Sequence, residues 1–183
     1  MTLHEAYIVL NMIDGVGPAT LAQLLKTFGE PQDILKAGLS DLLRVQGVGE
    51  VTAAAIRNWE ASVDLESELQ RMKNIGCRVI IREDEEYPPL LRQIHNPPFL
   101  LYVKGNLLPQ DKSSVAIVGS RLTTHYGKET AHRLGQQLAY AGITVISGGA
   151  GGIDTAAHKG ALSARGRTLA VLGHGLCHLY PVG

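Results

Sequence analysis

The strongest constraint on this chain is an alternation in its C-terminal part. Three continuous apolar runs, at 114–118, 143–146 and 168–172, each lead into glycines: Gly119 after the first, Gly148 and Gly149 after the second, Gly173 and Gly175 after the third. Between them lie two stretches read as helices. The first, at 127–141, carries Ala131, Leu134, Leu138 and Ala141 at helical intervals; the second spans 153–165. Short unbroken apolar runs separated by helices predict parallel strands covered on both faces. The expected fold class is α/β: a βαβαβ unit, one half of a doubly wound, Rossmann-like parallel sheet. Such a sheet needs further strands beside its first one. The chain is therefore expected to be a fragment of a longer protein, with that first strand at an open edge.

In a parallel sheet with right-handed crossovers, every strand-to-helix loop leaves from the same edge. Three segments should meet there: Gly119, Ser120 and Arg121; the 147–152 loop with Ser147, Gly148, Gly149, Gly151 and Gly152; and Gly173, His174 and Gly175. Glycines let a ligand approach the backbone, and the N–H groups of a helix N-terminus attract negative charge. Arg121 adds a planar fork suited to phosphate. Lys159, one or two helical turns into the second helix, and Lys128 sit at the rim. The combination predicts an anion site, with phosphate as the anion.

The phosphate is not that of a recognisable cofactor, and none is expected. GSRLTT after the first strand is neither the GxGxxG of dinucleotide sites nor a P-loop. Nor is there a catalytic constellation. Asp154 and His158 share a helix face, but a carboxylate in a first turn serves orphan N–H groups, and His158 reads as a packing or hydrogen-bonding residue. His174 and His178 lack a third metal-ligating partner at suitable spacing. Ser120 and Ser147 are not in a nucleophile elbow. Cys77 and Cys177 are too few for a disulfide framework, and Cys77 reads as core.

The N-terminal part contains a repeat. IDGVGPAT at 13–20 matches VQGVGEVT at 45–52, each between apolar helical stretches: 3–13 and 19–28, then 34–45 and 51–59. The pattern is helix, glycine hairpin, helix, twice over: a tandem helix-hairpin-helix module in a small all-α domain, assigned to residues 1–62. The second hairpin places Glu50 where a phosphate would sit, and no base follows the first until Lys26. These hairpins read as a packing or protein-contact domain rather than a DNA clamp. The second domain is assigned to 63–183. It opens with a polar helix at 62–74, then strands at 79–81 and 99–103 divided by proline-rich turns.

Charge is distributed unevenly. Residues 1–75 hold 6 Lys and Arg against 10 Asp and Glu, a net −4; residues 111–183 hold 7 against 3, a net +4. A polyanion would meet the C-terminal part. With 45% apolar and 19% charged residues, the composition is that of a globular protein, not a disordered or fibrous one. The start of the chain lacks the features of a secretion signal, and no apolar run reaches membrane-spanning length. A cytoplasmic protein without membrane contact is expected.

Taken in order, the motifs resemble one family. They are YPPLL at 87–91, NPPFLLYVKG at 96–105, VAIVGSR at 115–121, SGGAGGIDTAAHKGAL at 147–162 and TLAVLGHGL at 168–176, with Tyr180 and Pro181. The set is similar to the bacterial DNA-processing protein A family (DprA, also called Smf), over residues 64–183. The resemblance implies a non-enzymatic protein that binds incoming single-stranded DNA during natural transformation, protects it, and loads the recombinase RecA onto it. It also implies a homodimer in the full-length family. It carries phosphate contact to Gly119, Ser120 and Arg121, and the glycine-rich second loop to residues 147–153. Many family members have Arg where Gly151 stands, and the family domain continues past Pro181. A second family, the cytokinin-activating nucleoside-phosphate hydrolases of the lysine-decarboxylase-like type, shares the GSR and glycine loops. It would place a ribose phosphate in the same crevice. The hairpins and the proline-rich segments speak against it. A third alternative is a degenerate copy that makes only protein contacts.

Overall fold

The computed structural model describes residues 1–176. The chain divides into two compact units, Met1–Gly105 and Asn106–Gly183.

The first unit is mainly helical. It contains α1 (Leu3–Met12), α2 (Pro18–Phe28), α3 (Pro31–Lys36), α4 (Leu39–Leu42), α5 (Glu50–Arg57), α6 (Trp59–Ser62) and α7 (Leu65–Ile75). Thr2 starts α1 with a capping box: its hydroxyl accepts from the Glu5 N–H, and the Glu5 carboxylate accepts from the Thr2 N–H at 2.7 Å. Both hairpins form as expected, with Gly15 and Gly47 at φ of 86° and 85°. The stretch expected as one helix at 34–45 is two, α3 and α4, because the chain is extended at Ala37 and Gly38.

Two strands complete this unit. β1 (Cys77–Ile81) and β2 (Leu100–Lys104) pair antiparallel, Cys77 opposite Lys104 and Ile81 opposite Leu100. The sequence boundary at 62/63 falls inside the unit, because the strands share the helical core. Ile81, Phe99 and Leu100 lie in one buried cluster with Leu10, Leu24, Ile34 and Ile56. The proline-rich segment between them is more than turn punctuation. Tyr87 is buried and donates its hydroxyl to the Pro98 carbonyl at 2.6 Å.

The second unit holds β3 (Ser114–Ala116), α8 (His125–Tyr140), β4 (Thr144–Gly148), α9 (Ile153–Ser163) and β5 (Thr168–Val171). The strands are parallel in the order β3-β4-β5, with Val115 beside Val145 and Ile146 beside Leu169. This is the predicted Rossmann-like βαβαβ unit, and β3 is an outer strand among the described residues.

Coverage of the sheet differs from expectation. Val145 packs with Leu138 and Ala139 of α8 and with Ala157 and Ala161 of α9, so both helices lie on one face. The alternate residues point the other way. On that side Val171 is 67% exposed, and Ala116 is also exposed. The continuous apolar runs do signal two apolar faces, but within this unit only one of them is covered.

A polar clip joins the sheet to the segment before it. Arg167 Nε donates to Asp111 Oδ1 at 2.5 Å and Arg167 Nη2 to Asp111 Oδ2 at 2.7 Å. The Thr144 hydroxyl and the Leu108 N–H donate to the same carboxylate. The Arg167 guanidinium holds the Asp111 carboxyl below its ordinary range. Among the described residues, no helix is long and apolar enough to cross a membrane.

Candidate nucleic-acid interface

The three loops leave the same edge of the sheet and touch one another. The Ile153 N–H, in the first turn of α9, donates to the Ser120 carbonyl at 3.3 Å. Gly152 caps α9 at φ 84°, and a Cβ there would run into the Ser120 and Arg121 carbonyls. A Cβ on Gly119 would lie 2.6 Å from the Ile153 side chain. On the far side, a Cβ on Gly149 would meet Leu172 at 2.5 Å and His174 at 3.8 Å. Loop one therefore rests on loop two, and loop two on loop three, as the parallel topology requires.

Inside this crest the predicted residues divide by role. Arg121 is exposed and forms no ion pair among the described residues. Gly151 has open space where a side chain would stand. The Ser120 hydroxyl is exposed and donates to the Leu122 carbonyl at 2.6 Å, shaping its own loop. Ser147 departs from expectation. It is buried, and its hydroxyl donates to the Ile117 carbonyl at 2.5 Å, so it braces β4 against the strand beside it. Its side chain is spent and does not face a ligand. Gly148 is likewise behind the crest. Its carbonyl accepts from His158 Nε2 at 2.9 Å, and the Asp154 carboxylate fills the space a Cβ would take.

His158 has both ring nitrogens engaged, the second with the Thr168 hydroxyl at 2.7 Å. A carbonyl only accepts, so Nε2 carries a proton. This is the hydrogen-bonding role expected of it, and no lone pair is left for a metal. Thr155 adds a second strut, donating to the Ala150 carbonyl at 2.8 Å. No group of three metal-ligating side chains occurs among the described residues. Cys177, His178, Tyr180 and Pro181 lie outside the described residues.

Lys159 is exposed on α9 and lines a cleft of about 800 Å³ between α8 and α9. Tyr126, Lys128, His132 and Arg133 line the same cleft, and Gly151 and Gly152 form its upper end. Tyr126, His132 and Arg133 belong to no motif in the sequence. Tyr126 and Arg133 are seven apart and Lys128 and His132 four apart, so each pair, taken by itself, shares a side of α8. That signal resembles an ordinary solvated face.

Fold and site together define a protein with a tandem helix-hairpin-helix unit and a Rossmann-like unit whose strand ends form an open, glycine-lined crest that carries Arg121. The chain belongs to the DNA recombination-mediator protein A family, whose model matches residues 78–183. A SAM-like helix-hairpin-helix tandem model matches residues 7–58. Protein Smf of Synechocystis is 33% identical over 97% of this chain, and DNA processing protein DprA of Bacillus subtilis is 32% identical over 78%. The chain spans 46% and 49% of those two relatives, about half their length. The X-ray structure of DprA from Streptococcus pneumoniae matches all of this chain and 62% of its own, with a TM-score of 0.74 at 29% identity. A Helicobacter pylori DprA structure, described by its single-stranded DNA binding mode, matches 59% of this chain and 47% of its own, with a TM-score of 0.51 at 30% identity.

Proposed function

We propose that this chain binds single-stranded DNA without sequence preference and serves recombination as a mediator, not as an enzyme. The observation that carries the reading is the junction of Ser120 and Arg121 with Gly152 and Ile153. It supplies a guanidinium with no ion pair among the described residues and open backbone beside a helix N-terminus, on the ridge where three loops meet. Such a ridge suits a sugar–phosphate chain, since it offers charge and N–H groups but no rigid slot for one base. The Helicobacter relative's single-stranded DNA supports the choice of ligand. The contacts assigned to phosphate are Gly119, Ser120, Arg121, Gly149, Gly151 and Gly152.

The family's description as a recombination mediator supports the further reading. The bound strand is protected and handed to RecA in the cytoplasm, and the full-length protein works as a homodimer. The nucleoside-phosphate hydrolase reading loses ground to family membership.

Fluorescence anisotropy with labelled oligo-dT, set beside a duplex of equal length, tests the ligand. Tighter binding of the single strand, weakening steeply with salt, is expected. Equal affinity for both, or no binding at low salt, would overturn the reading.

A further inference from the structure

The cleft between α8 and α9 continues from the crest without a break, because Gly151 and Gly152 belong to both. Below them it is walled by basic side chains from two helices: Lys128, His132 and Arg133 on α8 and Lys159 on α9. None of these four forms an ion pair among the described residues. The one acidic residue in the lining, Glu129, already faces His125 at 3.5 Å on the α8 surface. Tyr126 stands at the mouth, 75% exposed. An exposed ring beside spaced cations is the combination that takes unpaired bases and their phosphates.

We propose that this cleft is a second stretch of the nucleic-acid site, taking the backbone of a single strand after it leaves the loops. The inference rests on the function proposed above and extends it in space. The strand turns off the sheet edge at Gly151 and Gly152 and runs down between the helices. Lys128, Arg133 and Lys159 meet successive phosphates, and Tyr126 stacks on a base. Lys128 and Arg133 come from one wall of the cleft and Lys159 from the other, more positive charge than a single phosphate requires, so the complementary partner is an extended polyanion.

The test uses the full chain and oligo-dT of about 4 and about 16 nucleotides, the span of typical single-strand sites. The triple variant Lys128→Ala, Arg133→Ala, Lys159→Ala should bind the short strand like the parent. It should lose tenfold or more in affinity for the long one. Its salt dependence on the long strand should fall by about 2 in log–log slope, since each phosphate no longer neutralised removes about 0.7. Replacing Arg133 by Lys should restore part of that slope. An unchanged slope in the triple variant, with Arg121→Ala still weakening both strands, overturns the cleft and leaves the crest standing. Loss of slope in the triple variant with no effect of Arg121→Ala does the reverse. Equal displacement of the long strand by polyglutamate of matched length would overturn the assignment to nucleic acid.

Discussion

The N–H of Ile153 donates to the carbonyl of Ser120. That single bond ties the start of α9 to the loop leaving β3, and it fixes how far Arg121 stands from the helix N-terminus. Between the two bonded groups lies Gly152, in a backbone conformation that other residues rarely adopt.

Gly152→Ala is therefore expected to strain the junction twice, through its positive φ and through overlap with the Ser120 and Arg121 carbonyls. A cost of about 1–3 kcal/mol is expected. Thermal unfolding should register it, and oligo-dT affinity should fall with it. A variant as stable as the parent would show that the loops can separate freely.

Arg121→Ala should behave in the opposite way. The side chain is exposed and has no ion pair among the described residues, so stability should change by no more than about 0.5 kcal/mol. Binding should weaken alike for all sequences, with the salt slope smaller by about 0.7. Sequence-dependent loss would mean that Arg121 reads bases.

Acid should loosen the second unit through Asp111. Its carboxyl is held below the ordinary value of 3.8 by Arg167, so the folded state favours the ionised form. That contribution is complete above the ordinary value and is lost as pH falls below it through the lowered one. Asp111→Asn should remove this part of the acid dependence and cost about 1–3 kcal/mol near neutrality, measured by denaturant unfolding. An identical acid limb in parent and variant would exclude Asp111 as its source.

In the first unit, the Tyr7 hydroxyl donates to Glu83 at 2.8 Å and His4 Nε2 lies 2.9 Å from Asp84. Burial, then the bond to Glu83, raises the Tyr7 phenol above its ordinary value of 10.0. In an ultraviolet titration of the 6 tyrosines, Tyr7→Phe should delete absorbance only from the late, strongly alkaline part of the curve. Stability should drop by about 0.5–1.5 kcal/mol. Loss from the early part would place Tyr7 in contact with water.

The order of elements in the second unit was legible because each apolar run led into glycines, and glycine after a strand permits the chain to turn. The hairpins were legible for the same reason, through Gly15 and Gly47. The unit boundary was not, since nothing local in Val79 or Leu101 says that the strand pair shares the helical core. Ser147 misled because a serine beside glycines looks available to a ligand, and only the fold shows its hydroxyl turned to Ile117. The cleft was hidden because its cations lie on separate helices. Lys159 and Arg133 are brought together by a close helix crossing, in which a Cβ on Gly135 or Gly160 would strike the opposite backbone.

That crossing has a mechanical consequence. With Gly135 against the Ala157 carbonyl and Gly160 against that of His132, the two helices touch main chain to main chain, leaving no cushion of side chains to compress. The walls above the crossing are then a fixed gauge. Whatever lies between them must adjust its own shape to theirs, and the ordering falls on the guest rather than the host.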